Sequence, residues 1–150
     1  MKKILILVLL LNMHLFADLK VGEKFPNISL ENQFEKVQTI DKTDRWVLMV
    51  FEKDVSVGLT KQLKKMPEHY VEKKHIKIIS DISSMPSFIT SMFALPKMRK
   101  YPFSVMLIND DSGKGFNQAK GKVTLFSLNK RKIKSITFLK PDDVGNFIGQ

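Results

Sequence analysis

The sequence predicts one α/β domain: a central mixed sheet between helical layers, opened by a β-hairpin and closed by a C-terminal helix. Three observations predict it. The first is the unbroken apolar run Trp46 to Phe51, bounded by charge on both sides, the pattern of a strand buried on both faces. The second is the alternation of further strand-like segments, His75 to Ile82 marked by four isoleucines and Phe103 to Ile108, with stretches of helical periodicity. The third is the pair Val123 to Leu128 and Ile133 to Phe138, close enough to form a hairpin around Asn129-Lys130-Arg131-Lys132.

A chain of 150 residues, 43% of them apolar, suits a single packed core. Its first residues carry an address. Lys2 and Lys3 form a positive region, Ile4 to Leu11 an apolar one, and Leu15-Phe16-Ala17 ends on a small residue. The apolar run is interrupted at Asn12 and His14 and falls short of the roughly 20 residues a membrane span requires. Residues 1–17 therefore read as a signal peptide cleaved before Asp18, residues 18–150 as the domain, and the periplasm as its location. No cysteine follows the apolar region, so a lipid anchor of the lipoprotein type is excluded.

The net charge is +10; without Lys2 and Lys3 the chain keeps 23 basic and 15 acidic residues, about +8. A basic exported protein is attracted to anionic envelope components such as phospholipid headgroups or lipopolysaccharide, or to acidic proteins; nucleic acid is not an expected partner there. With no cysteine anywhere in the sequence, thiol–disulfide exchange and cysteine peroxidase chemistry are excluded.

Taken in order, Gly22, Pro26 and the alternation Ile28, Leu30 predict a short edge strand. Glu31-Asn32-Gln33 is its turn, and Phe34, Val37 and Ile40 mark the return. After the strand at Trp46, Ser56 is the expected cap of a helix whose apolar positions are Leu59, Leu63, Met66 and Tyr70, ended or kinked by Pro67. Ile76, Ile78, Ile79 and Ile82 mark the second buried strand. Ser83 or Ser84 then caps a helix with Pro86 near its first turn. Phe88, Ile89, Met92, Phe93 and Leu95 form its apolar face, and Pro96 is expected to break it. Phe103 to Ile108 is the third buried strand, left through the turn Asn109 to Gly113. After the hairpin, Pro141, Asp142 and Asp143 open a last helix through Val144, Phe147 and Ile148.

The segment Val21-Gly22-Glu23-Lys24-Phe25-Pro26-Asn27-Ile28-Ser29-Leu30 resembles the entry of peroxiredoxins and TlpA-like exported thioredoxins, and Trp46 to Phe51 is similar to their central strand before the C-x-x-C loop. The resemblance implies a thioredoxin-like three-layer sandwich. Laid on that pattern, Ser56 takes the nucleophilic cysteine's place and Leu59 the resolving one, with Asp54 beside them in a degenerate loop. The proline expected ahead of Val123 is replaced by Gly121-Lys122. Ser91-Met92-Phe93, Lys100-Tyr101-Pro102-Phe103-Ser104 and the later Asp-x-x-Gly turn resemble YtfJ-like exported proteins, which lack the cysteine pair and bring no catalytic residues with them.

The candidate sites have ordinary explanations beside them. A serine is a poor nucleophile without a base in reach, and a helix cap explains Ser56. Met49, Met66, Met85, Met92, Met98 and Met106 with His69 and His75 suggest soft-metal binding, but the methionines fall on apolar strands and helix faces, and the two histidines lack metal-ligand spacing. Asp110-Asp111-Ser112-Gly113 lacks the calcium-loop spacing, and Gly113-Lys114-Gly115 lacks the rest of a phosphate loop. Lys130, Arg131, Lys132 and Lys134, with Lys120 and Lys122 on the neighbouring strand, make a basic hairpin end suited to an anionic surface, or to blunting edge pairing.

No catalytic residue, metal or cofactor is therefore expected. The reading is an exported, redox-inactive binding or scaffold module. Its alternative is a metal-carrying or hydrolytic domain with a site rebuilt from Glu52, Asp54, Ser56 and Thr60, converging with His69 or Tyr101.

Overall fold

The structure, a computed structural model, describes residues 18–150; the signal peptide expected over residues 1–17 lies outside the described residues. Each apolar run becomes a strand. The N-terminal hairpin is β1 (Ser29–Glu31) and β2 (Val37–Thr39), paired antiparallel. The main sheet contains β3 (Trp46–Val50), β4 (Ile76–Asp81), β5 (Met106–Ile108), β6 (Val123–Asn129) and β7 (Lys132–Leu139) in the order β5-β4-β3-β6-β7. The pairs β3–β4 and β4–β5 are parallel; β3–β6 and β6–β7 are antiparallel. Between strands lie α1 (Lys53–Leu63), α2 (Tyr70–Lys73) and a helical run made of α3 (Ser87–Ile89), a π-turn (Thr90–Ala94) and α4 (Leu95–Met98). The chain ends with α5 (Val144–Gly149).

The central strand is buried on both faces, as its composition requires. Leu48 and Val50 enter one core with Val55, Leu59 and Leu63 of α1 and Val144 and Ile148 of α5. Val47 and Met49 enter the other with Phe25, Phe116, Phe126 and Ile133. Phe25 reaches that second core because Gly22 to Phe25 runs along the start of β7. The Gly22 amide donates to the Ile133 carbonyl and the Phe25 amide to the Arg131 carbonyl, both at 2.8 Å. Phe25 then meets Phe126 edge-on at 5.2 Å.

Four expectations are corrected. Ser56 is not the helix cap: Glu52, extended at φ −126°, precedes the first helical residue, and Ser56 stands one turn inside, its amide donating to the Glu52 carbonyl at 2.9 Å. The helix starts early because Val55, Leu59 and Leu63 form the buried row, with Asp54 favourably placed in the first turn. Pro96 does not break its helix. The Leu95 amide donates to the Thr90 carbonyl, a π-turn that accommodates a residue with no N–H whose ring would otherwise strike the carbonyl four residues back. The third parallel strand is shorter than the apolar run, since only Met106 to Ile108 pair with β4. The β6–β7 loop shrinks to Lys130 and Arg131, both at positive φ (49° and 69°), as a type I′ turn demands, because Asn129 and Lys132 pair.

If Ser56 is an interior helical residue, Ser56→Ala should leave stability unchanged or raise it by about 0.5 kcal/mol in urea denaturation. A loss of about 1 kcal/mol would restore the capping role.

Candidate functional site

Where β3 and β4 end, α1 and the helical run from Ser87 diverge and leave a cleft of about 460 Å³. From α1 and the residue before it come Glu52, Lys53, Ser56 and Val57; from the helical run, Ile89, Phe93, Ala94, Lys97 and Met98. Phe51, Ser80, Ile82, Met85 and Tyr101 also line it. Its two acids are engaged. Glu52 Oε2 accepts the Gly121 amide at 2.6 Å, tying the start of α1 to the loop before β6. Asp81 Oδ1 accepts from the Ser83 amide at 2.9 Å and its hydroxyl at 2.6 Å. Lys53 and Lys97 form no ion pair among the described residues.

The polar groups suggested for a rebuilt site do not converge. Glu52, Ser56 and Tyr101 line the cleft; Asp54, Thr60 and His69 do not. His69 pairs with Glu68 at 3.3 Å on the exposed loop after α1. Leu59, in the resolving cysteine's place, is 2% exposed and part of the core. Among the described residues the Ser56 hydroxyl is hydrogen-bonded to no base, and the cleft's two carboxylates are engaged elsewhere, which leaves it a poor nucleophile. Among the described residues, no three His, Asp or Glu side chains come together in a way that would hold a metal ion.

The wall opposite α1 is the unexpected element. No residue from Ser87 to Ala94 is buried. Phe88, Met92 and Phe93 are 60%, 67% and 63% exposed, and Val57 across the cleft is 50% exposed. The apolar face expected to pack on the core is thus largely open; in this helical run only Met98 reaches the core. Sequence periodicity reports that a helix has an apolar face but not what covers it. Sequence reasoning gives Lys53 and Lys97 no role, reads Ile89 and Phe93 only as a helix's apolar face, and reads Met85 only among candidate soft-metal ligands. A signal exists: no Asp or Glu occurs between Ile82 and Asn109.

The basic residues lie at the other end of the sheet. Lys130, Lys132 and Lys134 are exposed, and Lys24 joins them through its bridge to Lys132. Arg131 is diverted to structure: it is half-buried, and its Nη2 donates to the Phe25 carbonyl at 2.9 Å. Lys122 precedes β6 while Asn129 ends it, so seven residues of strand, about 23 Å, separate Lys122 from the hairpin tip. Lys120 and Lys122 therefore do not share the tip's surface. Beside the tip, Lys42, Thr43, Asp44, Arg45, His75 and Lys130 line a hollow of about 490 Å³.

Two neighbouring carboxyls in this hollow's loop titrate in opposite directions. Burial pushes Asp44 above the ordinary 3.8, although its Oδ2 accepts the Asp41 amide at 2.7 Å and Lys77 Nζ lies 3.9 Å from Oδ1. Hydrogen bonds from the Thr43 hydroxyl and amide hold Asp41 below 3.8.

The chain matches no protein-family profile and no curated protein sequence. Solved structures do match. It is similar to peroxidoxin BcpB from Mycobacterium tuberculosis, at 14% identity and a TM-score of 0.58, over 87% of this chain and 94% of that one. It is similar to the thioredoxin domain of a thiol-disulfide oxidoreductase from Bacteroides vulgatus, at 17% identity and a TM-score of 0.59, over 87% and 96%. A peroxiredoxin-like protein from Aquifex aeolicus matches at 16% identity and a TM-score of 0.56, over 88% and 87%. The fold is thioredoxin-like, with the peroxiredoxin and TlpA-like topology that the sequence predicts. At these identities the likeness is one of fold, and the absence of cysteine removes the sulfur that thiol chemistry requires.

Asp44, with its folded pKa raised, contributes stability that is complete below 3.8 and is lost as pH rises through the folded value; Asp41 contributes stability above 3.8 that is lost as pH falls. The unfolding free energy of Asp44→Asn minus that of the parent should therefore grow as pH rises from below 3.8. A difference that shrinks over that range would show that burial does not raise the Asp44 carboxyl.

Proposed function

We propose that the protein is an exported, redox-inactive binding module of the bacterial periplasm, whose binding face is the cleft between α1 and the Ser87–Met98 helical run. The observation that carries this reading is the open apolar wall at the end of β3 and β4. Ligands of open α/β sheets bind outside the carboxyl ends of parallel strands, and here that place holds a concave apolar surface without reactive groups. Phe93 and Val57, both exposed and one on each wall, are costly to leave in water unless something covers them. Export is supported by the signal-peptide pattern of residues 1–17, and by the resemblance of Lys100 to Ser104 to YtfJ-like exported proteins. A hydrolytic or metal-carrying site is disfavoured, because Ser56 lacks a base and the acids of the cleft are already hydrogen-bonded.

A second contact is supported by the basic end. Lys24, Lys130, Lys132 and Lys134 sit beside a hollow rimmed by Lys42 and Arg45, a surface complementary to phospholipid headgroups or lipopolysaccharide. It lies opposite the cleft, so both surfaces can be occupied at once.

A photo-crosslinking amino acid placed at Val57 or Phe93 in cells should give one discrete adduct in the envelope fraction, while the same group at the exposed Lys61 should give none. Equal labelling from all three positions, or none from any, would remove the cleft from the proposal.

A further inference from the structure

The cleft lies between α1 and the Ser87–Met98 helical run with the turn that precedes it, and the strand residues lining it, Ser80 and Asp81, belong to β4, which is paired on both sides, so it offers no strand edge to an extended peptide. What it offers is apolar area and a lysine on each wall. Val57 faces a wall containing Met85, Ile89 and Phe93 above Phe51 and Ile82, and methionine adapts its shape to an apolar guest. Of the four charged residues lining it, Glu52 and Asp81 are held by hydrogen bonds to Gly121 and Ser83. Lys53 and Lys97, one on each wall, have no ionic partner among the described residues. The volume, about 460 Å³, falls within the roughly 300–1,000 Å³ of small-molecule sites.

We infer that this cleft binds a single-chain anionic amphiphile, such as a fatty acid, with its acyl chain between Val57 and the Met85–Ile89–Phe93 wall and its anionic head between Lys53 and Lys97. The inference deepens the binding-module reading and rests on it. A polar metabolite would leave the apolar wall uncovered. A cationic amphiphile would have only Glu52 and Asp81 to meet, each already accepting hydrogen bonds through one oxygen. A bilayer surface would meet the convex side of the helix at Phe88 and Met92 rather than fill the concave one. Chain length and head charge should therefore decide affinity independently: each methylene added tightens binding roughly fourfold until the cleft is full, and the head contributes only through its sign.

The test is calorimetric titration of the protein with decanoate, dodecanoate and dodecyltrimethylammonium, each below its micellar concentration, with phosphatidylglycerol vesicles as a separate arm. The expected result is saturable one-to-one binding of both carboxylates, with dodecanoate about 15-fold tighter and the cation at least about tenfold weaker than dodecanoate. Lys53→Ser/Lys97→Ser should weaken dodecanoate at least about tenfold, while Lys130→Ser/Lys134→Ser leaves it unchanged. Methyl NMR should show Met85 and Met98 moving and Met49 still. Absence of saturable binding, equal affinity for cation and anion, indifference to the Lys53/Lys97 change, or binding to vesicles alone would each overturn the inference. A protein adduct captured at Val57 or Phe93 without amphiphile binding would remove the ligand and leave the binding module standing. Absence of both would remove both.

Discussion

The side chain of Gln33 holds together the parts of the molecule that shape the cleft. It is fully buried, at 0% exposure, in the turn of the N-terminal hairpin. Its amide nitrogen donates to the Phe103 carbonyl at 2.8 Å and the Met98 carbonyl at 3.3 Å, and its oxygen accepts the Val105 amide at 2.8 Å. The Gln33 carbonyl in turn accepts from Arg99 Nε at 2.8 Å. One residue thus satisfies the backbone of the irregular segment between the Ser87–Met98 helical run and β5, groups that would cost about 1–3 kcal/mol each if buried without partners. That segment carries Tyr101, whose ring packs on Phe103 and beneath Lys64 of the turn after α1. One wall of the cleft is therefore anchored at its C-terminal end while its first two turns remain free of the core. The other wall is anchored by the Glu52–Gly121 hydrogen bond and by Gly58, whose missing Cβ lets α1 close on Pro141.

This arrangement separates the two ends of the sheet. β3 begins beside the basic hollow of Arg45 and Lys130 and ends at Phe51 in the apolar cleft. At the end of the central strand, Leu59 is part of the core, Ser56 lines the cleft with no hydrogen-bonded base among the described residues, and the remaining lining is largely aliphatic and aromatic. The result suits recognition by shape, apolar area and net charge rather than bond-making.

Much of this was legible in the sequence, and the parts that were not share a cause. Trp46–Val50 declares itself because burial on both faces demands an unbroken apolar run, and Ile76–Asp81 because Ile76, Ile78 and Ile79 mark it despite Lys77 and Ser80. The β6–β7 hairpin and the Pro141 helix start follow from local turn and cap chemistry. Ser56 misleads because the start of α1 is decided by the buried row Val55, Leu59 and Leu63, and Glu52 spends its side chain on Gly121 instead of capping. Pro96 misleads because a π-turn is set by backbone geometry around it, not by composition. The apolar residues from Phe88 to Leu95 are the instructive failure: their spacing defines a helix face correctly, but only tertiary structure tells that water rather than core lies against it. Gln33, in a segment that reads as an ordinary turn, gives no local sign that it will be buried.

The central claim is that this apolar helix face stands open beside a formed cleft in an otherwise packed domain, and the six methionines after Asp18 are its natural reporters. Methyl NMR of the protein with a soluble paramagnetic agent reads the accessibility of each directly. Strong broadening of Met92, intermediate broadening of Met85, and protection of Met49, Met98 and Met106 are expected. Protection of Met92 and Met85 equal to that of Met49 would mean that the helix packs on the core in solution and that the cleft is closed.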